Sequence, residues 1–145
     1  MAVEKQLMIN APADKVFSYI ADFPRHSEWA QHKLKVDQTS QGPVGQGTTY
    51  KSVGHEMGRD NEDTVTIAEF VPNQKLVFEV QGNAGHFRHW FQLKPADGGA
   101  ELAKGFEVLK ANFPFSLLLP VAMLFMVPGG LNGDLKRIKA KVEGS

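Results

Sequence analysis

The sequence predicts an α+β domain: a curved antiparallel β-sheet of about seven strands wrapped around a long C-terminal helix, with two short helices between strands 1 and 2. Three observations predict it. Most of residues 33–109 falls into short alternating segments separated by Gly, Pro, Asn and Asp clusters, the pattern of strands joined by tight turns. A proline-opened helical pattern follows the first strand and precedes all the others. Residues 113–127, FPFSLLLPVAMLFMV, are apolar almost throughout and run directly into the amphipathic pattern LNGDLKRIKAKVEG. At 145 residues the chain has the length of one domain and can bury a core without disulfides.

Residues 3–10 read as the first strand, with Val3, Leu7 and Ile9 on one face and Lys5 breaking that row. Pro12 then opens a helix with Asp14 in its first turn, where the helix dipole favours negative charge. Ala13, Val16, Phe17 and Ile20 form one buried stripe. Phe23 precedes Pro24 and is pushed out of the helical region, so the helix stops before it. A short turn or second helix at 25–30 carries Trp29 inward. Strands are expected at 33–39, 48–55, 64–70, 75–80, 86–93 and 100–109, with a polar loop or widened hairpin at 55–63 around Gly58. The final helix is expected to break near Pro128-Gly129-Gly130. Beyond the break, Asn132 would cap a helix whose apolar stripe is Leu131, Leu135, Ile138 and Val142. Sequential strands joined by tight turns pair antiparallel, and the last helix lies across the concave face.

Equal numbers of basic and acidic residues, 16 each, leave no net field to attract a phosphate backbone, so no nucleic-acid partner is expected. Lys136, Arg137, Lys139 and Lys141 read as the solvated face of the last helix. The absence of cysteine excludes disulfides, thiolate metal sites and a cysteine nucleophile. No basic-then-apolar leader pattern opens the chain, and a cytoplasmic location is expected. Residues 113–127 fall short of the roughly 20 residues a membrane span needs and contain Pro120. They read as a core or pocket helix, with peripheral membrane contact as the alternative.

The segments INAPADKVFSYIADF (9–23) with Trp29, GPVGQGTTYKSVG (42–54), VTIAEFVPNQKLVFEV (65–80) and LNGDLKRIKAKVEG (131–144) together resemble the START-like helix-grip superfamily (SRPBCC), of the polyketide cyclase/dehydrase and lipid-transport type. The resemblance spans essentially the whole chain and rests on the order of the motifs. It implies an internal cavity for a hydrophobic small molecule, such as a lipid, isoprenoid or polyketide-like aromatic, and no cofactor. It transfers no catalytic residue.

Residue by residue, GPVGQG (42–47) precedes a strand and not a helix, so it reads as a hairpin and not a phosphate loop. In HFRHW (86–90) the two histidines are three apart on a strand and point to opposite faces, which excludes a shared metal. His89 shares the apolar face of Phe87, Phe91 and Leu93, where a histidine is more commonly a hydrogen-bonded core residue than a catalyst. Glu107 would become a general acid if buried in the pocket, and nothing special if it faces water. Arg59, Asp60, Glu62 and Asp63 read as a solvated hairpin, with a lid at the pocket mouth as the alternative. The expected ligand-binding set is Trp29, Tyr50, His55, Phe78, His89, Phe106, Glu107, Phe115, Leu118, Met123 and Phe125, with His89 and Glu107 as candidate catalytic groups and no metal site. The leading reading is a binding module. A cyclase or dehydratase using general acid/base catalysis, and a membrane- or partner-docking protein, are the alternatives.

Overall fold

A computed structural model describes residues 2–30, 33–56 and 59–144. Seven strands form one sheet: β1 (Ala2–Ile9), β2 (Lys33–Gln38), β3 (Thr49–Glu56), β4 (Arg59–Val71), β5 (Lys75–Gly82), β6 (Gly85–Ala96) and β7 (Gly99–Ala111). Their order is β1-β7-β6-β5-β4-β3-β2 and every neighbouring pair is antiparallel. Helix α1 (Ala13–Ile20) and a 3-10 helix (Phe23–Glu28) connect β1 to β2. Helix α2 (Phe115–Val121), a π-helical turn (Ala122–Met126) and α3 (Val127–Glu143) close the chain. This is the helix-grip α+β arrangement.

The hairpins follow their turn chemistry. Asn73 sits at φ 65° after Pro72, and the Gln74 amide donates to the Val71 carbonyl at 3.0 Å. Gly98 takes φ 79° in the loop between β6 and β7. One strand is longer than expected: β4 begins at Arg59, so residues 59–63 pair with β3 and are not a loop. Polar side chains persist there because hydrogen bonding to β3 satisfies the backbone whatever the side chains are. The Arg59 side chain and Gly58, parts of the expected loop or lid, lie outside the described residues. A bulge between Ile67 and Glu69 shifts the alternation by one residue, so Ile67 and Phe70 both face inward.

The inner face is covered unequally. Leu131, Leu135, Ile138 and Val142 of α3 are buried, as their spacing predicts. Polar ties hold this half of the helix: Lys139 Nζ donates to the Met8 carbonyl at 2.8 Å, and the Asn10 amide donates to Glu143 Oε2 at 2.8 Å. Arg137 Nε donates to the Trp29 carbonyl at 2.6 Å, joining α3 to the 3-10 helix. On the β3–β5 side the 3-10 helix fills the space. Phe23 stacks on Tyr50 at 4.4 Å and meets Phe78 edge-on at 5.1 Å, while Trp29 meets Phe91 at 5.7 Å.

Two expectations for the C-terminal segment are corrected. The helix does not break at Pro128-Gly129-Gly130, and Asn132 is not a cap, because α2, the π turn and α3 form one helix from Phe115 to Glu143. Proline lacks an N–H and its ring crowds the carbonyl four residues back. The wider π winding just before Pro128 accommodates both without ending the helix. Residues 113–127 also do not form a buried core helix. Phe113, Leu117, Leu118, Val121, Leu124, Phe125 and Met126 are exposed, and only Ala122 and Met123 of this stretch are buried.

The anchoring of the helix is therefore confined to α3. Replacing Leu135 by Ala deletes a fully buried side chain and is expected to cost about 2–5 kcal/mol in urea unfolding. Replacing the exposed Leu118 by Ala is expected to stay within about 0.5 kcal/mol.

Candidate ligand site on the inner face

Strand parity sets the site. Phe87, His89, Phe91 and Leu93 of β6 lie opposite Val108, Phe106, Lys104 and Leu102 of β7 on the inner face. Phe91, Leu93, Leu102 and Lys104 are buried beneath α3 and the 3-10 helix. Phe87, His89, Phe106 and Val108, nearer the α2 end of the sheet, are only half-buried. The His89 ring lies flat on Phe78 at 5.0 Å and meets Phe106 edge-on at 5.0 Å. Phe106 stacks on Phe87 at 5.6 Å, and Phe87 meets Phe115 of α2 at 5.7 Å. A wall of aromatic rings thus runs from the packed core to the first turn of α2, and its rings stay half-buried.

Of the sequence-predicted residues, Phe78, His89, Phe106 and Phe115 belong to this wall. Trp29, Tyr50 and Met123 are buried. Among the described residues neither the Trp29 indole Nε1 nor the Tyr50 hydroxyl has a hydrogen-bond partner. Burial, helped by the negative charge of Asp22, pushes the Tyr50 hydroxyl up to about 12, so it stays a neutral donor. The others are elsewhere. His55 is exposed and its Nδ1 lies 2.9 Å from Asp60 Oδ1, and Leu118 and Phe125 project from α2 and the π turn. Glu107 lies on the outer face, because it shares register with Arg88 and not with His89. Its carboxylate takes a 3.5 Å contact from Arg88 Nη1, beside the Glu79–His86 pair at 2.6 Å. Glu107 and His89 therefore stand on opposite sides of the sheet and cannot serve one substrate as an acid–base pair.

A group that the sequence reading passed over lies deepest in the site. Lys104 is 3% exposed on the inner face of β7. Its Nζ lies over the rings of Trp29 at 5.7 Å and Phe91 at 5.6 Å. The nearest carboxylate oxygen is Asp134 Oδ2 of α3 at 3.6 Å, while Asp134 Oδ1 accepts from Arg137 Nη2 at 2.7 Å. Burial holds the Lys104 ammonium below the ordinary lysine value of 10.5, and Asp134 opposes part of that shift. The signal was present in the alternation: Lys104 sits in the row of Leu102, Phe106 and Val108. His26, also buried, donates Nε2–H to the Ile20 carbonyl at 2.8 Å and sits between Phe23 and Trp29. Among the described residues no three His, Asp or Glu side chains converge as metal ligands. A separate open groove of about 510 Å³ lies on the outer face, lined by Glu4, Lys75, Arg88, Trp90 and Glu107 among others.

Residues 1–143 match the family model described as polyketide cyclase / dehydrase and lipid transport, and the protein belongs to that family. Its fold is similar to a START superfamily protein from Mycobacterium smegmatis, with a TM-score of 0.79, 17% identity and coverage of 99% of this chain and 97% of that one. It is also similar to the Zhui aromatase/cyclase from Streptomyces sp. R1128, with a TM-score of 0.75, 18% identity and coverage of 99% and 93%. A protein from Thermus thermophilus gives a TM-score of 0.80 at 15% identity over 99% and 98%. At these identities the likeness is one of fold. No curated protein matches this chain in sequence.

Between its lowered folded value and 10.5, Lys104 binds more protons in the unfolded chain than in the folded one, so stability rises with pH across that window. Its burial therefore weakens stability at neutral pH, and the penalty fades as pH rises towards 10.5. Lys104→Met is expected to be at least as stable as the parent at pH 7, with Asp134 still paired to Arg137. Urea unfolding at pH 7 and pH 10 checks this: the advantage of the variant shrinks at the higher pH.

Proposed function

We propose that this protein binds a hydrophobic small molecule, of lipid, isoprenoid or aromatic polyketide type, against the inner-face wall of Phe87, His89, Phe106 and Phe115. The observation that carries the reading is the half-exposure of this aromatic row on a face whose other half is fully packed. An apolar guest on these rings would remove them from water, a gain of about 25 cal/mol per Å² of apolar surface covered. Phe78 forms the floor and Met123 an adaptable flank of the helix. Membership of a cyclase and lipid-transport family supports the same chemical class of guest. For a cyclase or dehydratase activity, His89 alone of the two sequence-derived candidates lies on the wall side, since Glu107 faces away. The binding module remains the better reading.

A neutral fluorescent probe, N-phenyl-1-naphthylamine, is expected to bind with micromolar affinity. Phe106→Arg, which places a charge in the wall, is expected to weaken that binding at least tenfold. Fluorescence titration together with circular dichroism of the variant reads this out. No binding to the parent protein, or equal binding to the variant, would sink the assignment.

A second reading has its own observation. The helix Phe115–Glu143 contains an 18-residue window of mean hydropathy 1.7 of which 11% is buried, and by length and composition alone it could cross a membrane. Anchoring of α3 to the sheet restricts the uncovered apolar part to the N-terminal half of this helix, which favours shallow contact with a bilayer surface over a span. Flotation with phosphatidylcholine vesicles is expected to carry the protein upward, and Leu117→Asp with Phe125→Asp to leave it at the bottom of the gradient.

A further inference from the structure

We propose that the guest of the inner face is amphipathic, with a carboxylate at one end of its apolar body, and that the ammonium groups of Lys104 and Lys5 receive that carboxylate. The proposal rests on the ligand-binding reading above and adds the polarity and charge of the ligand to it.

The Lys104 ammonium carries three donors, and its carboxylate partner, Asp134 Oδ2, stands off at 3.6 Å, a single long contact for a buried cation. A buried ammonium in that condition is costly and calls for an acceptor. Arg137 holds the other oxygen of Asp134 at 2.7 Å, so one carboxylate is divided between two cations. The surrounding charges leave an excess of the same sign. Lys5 of β1 is the direct cross-strand partner of Lys104 and shares the inner face with Val3 and Leu7. Like charges directly opposite one another weaken a sheet unless something bridges them. The 3-10 helix and Trp29 bring no carboxylate to this point, β6 brings Phe91, and α3 brings Asp134 and Arg137. Around Lys104, Lys5 across the strand pair and Arg137 on α3 add two cations and Asp134 one anion, and that anion is itself paired with Arg137. Asp134 is the only carboxylate within ion-pair distance of Lys104, and Lys5 has none, among the described residues.

The remaining polar group nearby is also a donor. The Trp29 ring beneath the ammonium has an indole N–H with no partner among the described residues. A site furnished with donors and positive charge selects a ligand end that only accepts, and a carboxylate satisfies several donors at once. Lys5 and Phe106 flank Lys104 and are both half-buried, so a headgroup at Lys104 places the apolar body along Phe106 and Phe87 towards Phe115. The carboxylate would thus sit at the inner end of the wall and the apolar tail at the α2 end.

The test uses cis-parinaric acid, which fluoresces on binding, and its methyl ester, with the same chain but no charge. At pH 7 the acid is expected to bind the full-length protein at least tenfold more tightly than the ester. Lys104→Met is expected to bring the acid down to the affinity of the ester and to leave the ester within twofold of its parent value. Asp134→Asn removes the competing carboxylate and is expected to raise acid affinity severalfold with no change for the ester, a gain that a misfolded variant cannot produce. Acid and ester binding within twofold of each other to the parent protein would overturn the anionic assignment and leave the apolar site standing. Retention of the full acid preference in Lys104→Met would also overturn it. Failure of both probes to bind would overturn this inference together with the ligand-binding reading.

Discussion

A sheet of seven strands offers more inner surface than one narrow helix stripe can cover, and the rest of the structure is arranged around that shortfall. The α3 stripe of Leu131, Leu135, Ile138 and Val142 seals the part of the sheet nearest the end of β1. The 3-10 helix seals the β3–β5 side with Phe23, His26 and Trp29. Between these two covers and α2, the rings of Phe87, His89 and Phe106 are only partly covered. A close-packed interior would have filled that space. That partial exposure is what the proposed guest would cover.

The two covers are tied to each other through polar groups. Arg137 bridges the Trp29 carbonyl and Asp134, and Asp134 faces Lys104 across from the sheet. Such a network fixes how α3 sits over β7, yet it gives the buried cation only one long carboxylate contact, at 3.6 Å. Partly satisfied polar clusters are unfavourable for stability alone, and proteins retain them where they serve recognition. The same few residues orient the helix and, in the proposed complex, would form the polar end of the site.

Much of the candidate site was legible from alternation. The period of two in β6 placed His89 with Phe87 and Phe91 and sent Arg88 and Trp90 outward, where Trp90 Nε1 donates to Glu4 at 2.6 Å. The same rule left Glu107 undecided, because parity separates two faces without saying which is covered. Lys5 is legible as a break in the apolar row of β1, and the same rule exposes Lys104 as an intruder in the row of β7 once the two rows are set side by side. The bulge at Ala68 was invisible, since one extra residue in a strand changes no composition.

The sequence by itself determined the element order, the antiparallel hairpins and the apolar stripe of α3, because each depends on local turn chemistry or periodicity. Tertiary structure decided that Pro128 sits inside a continuous helix, that residues 59–63 extend a strand, and that the greasy segment stands in solvent. Those outcomes depend on which partner surface is available to each segment, and hydrophobicity along a chain does not record where its partners run out.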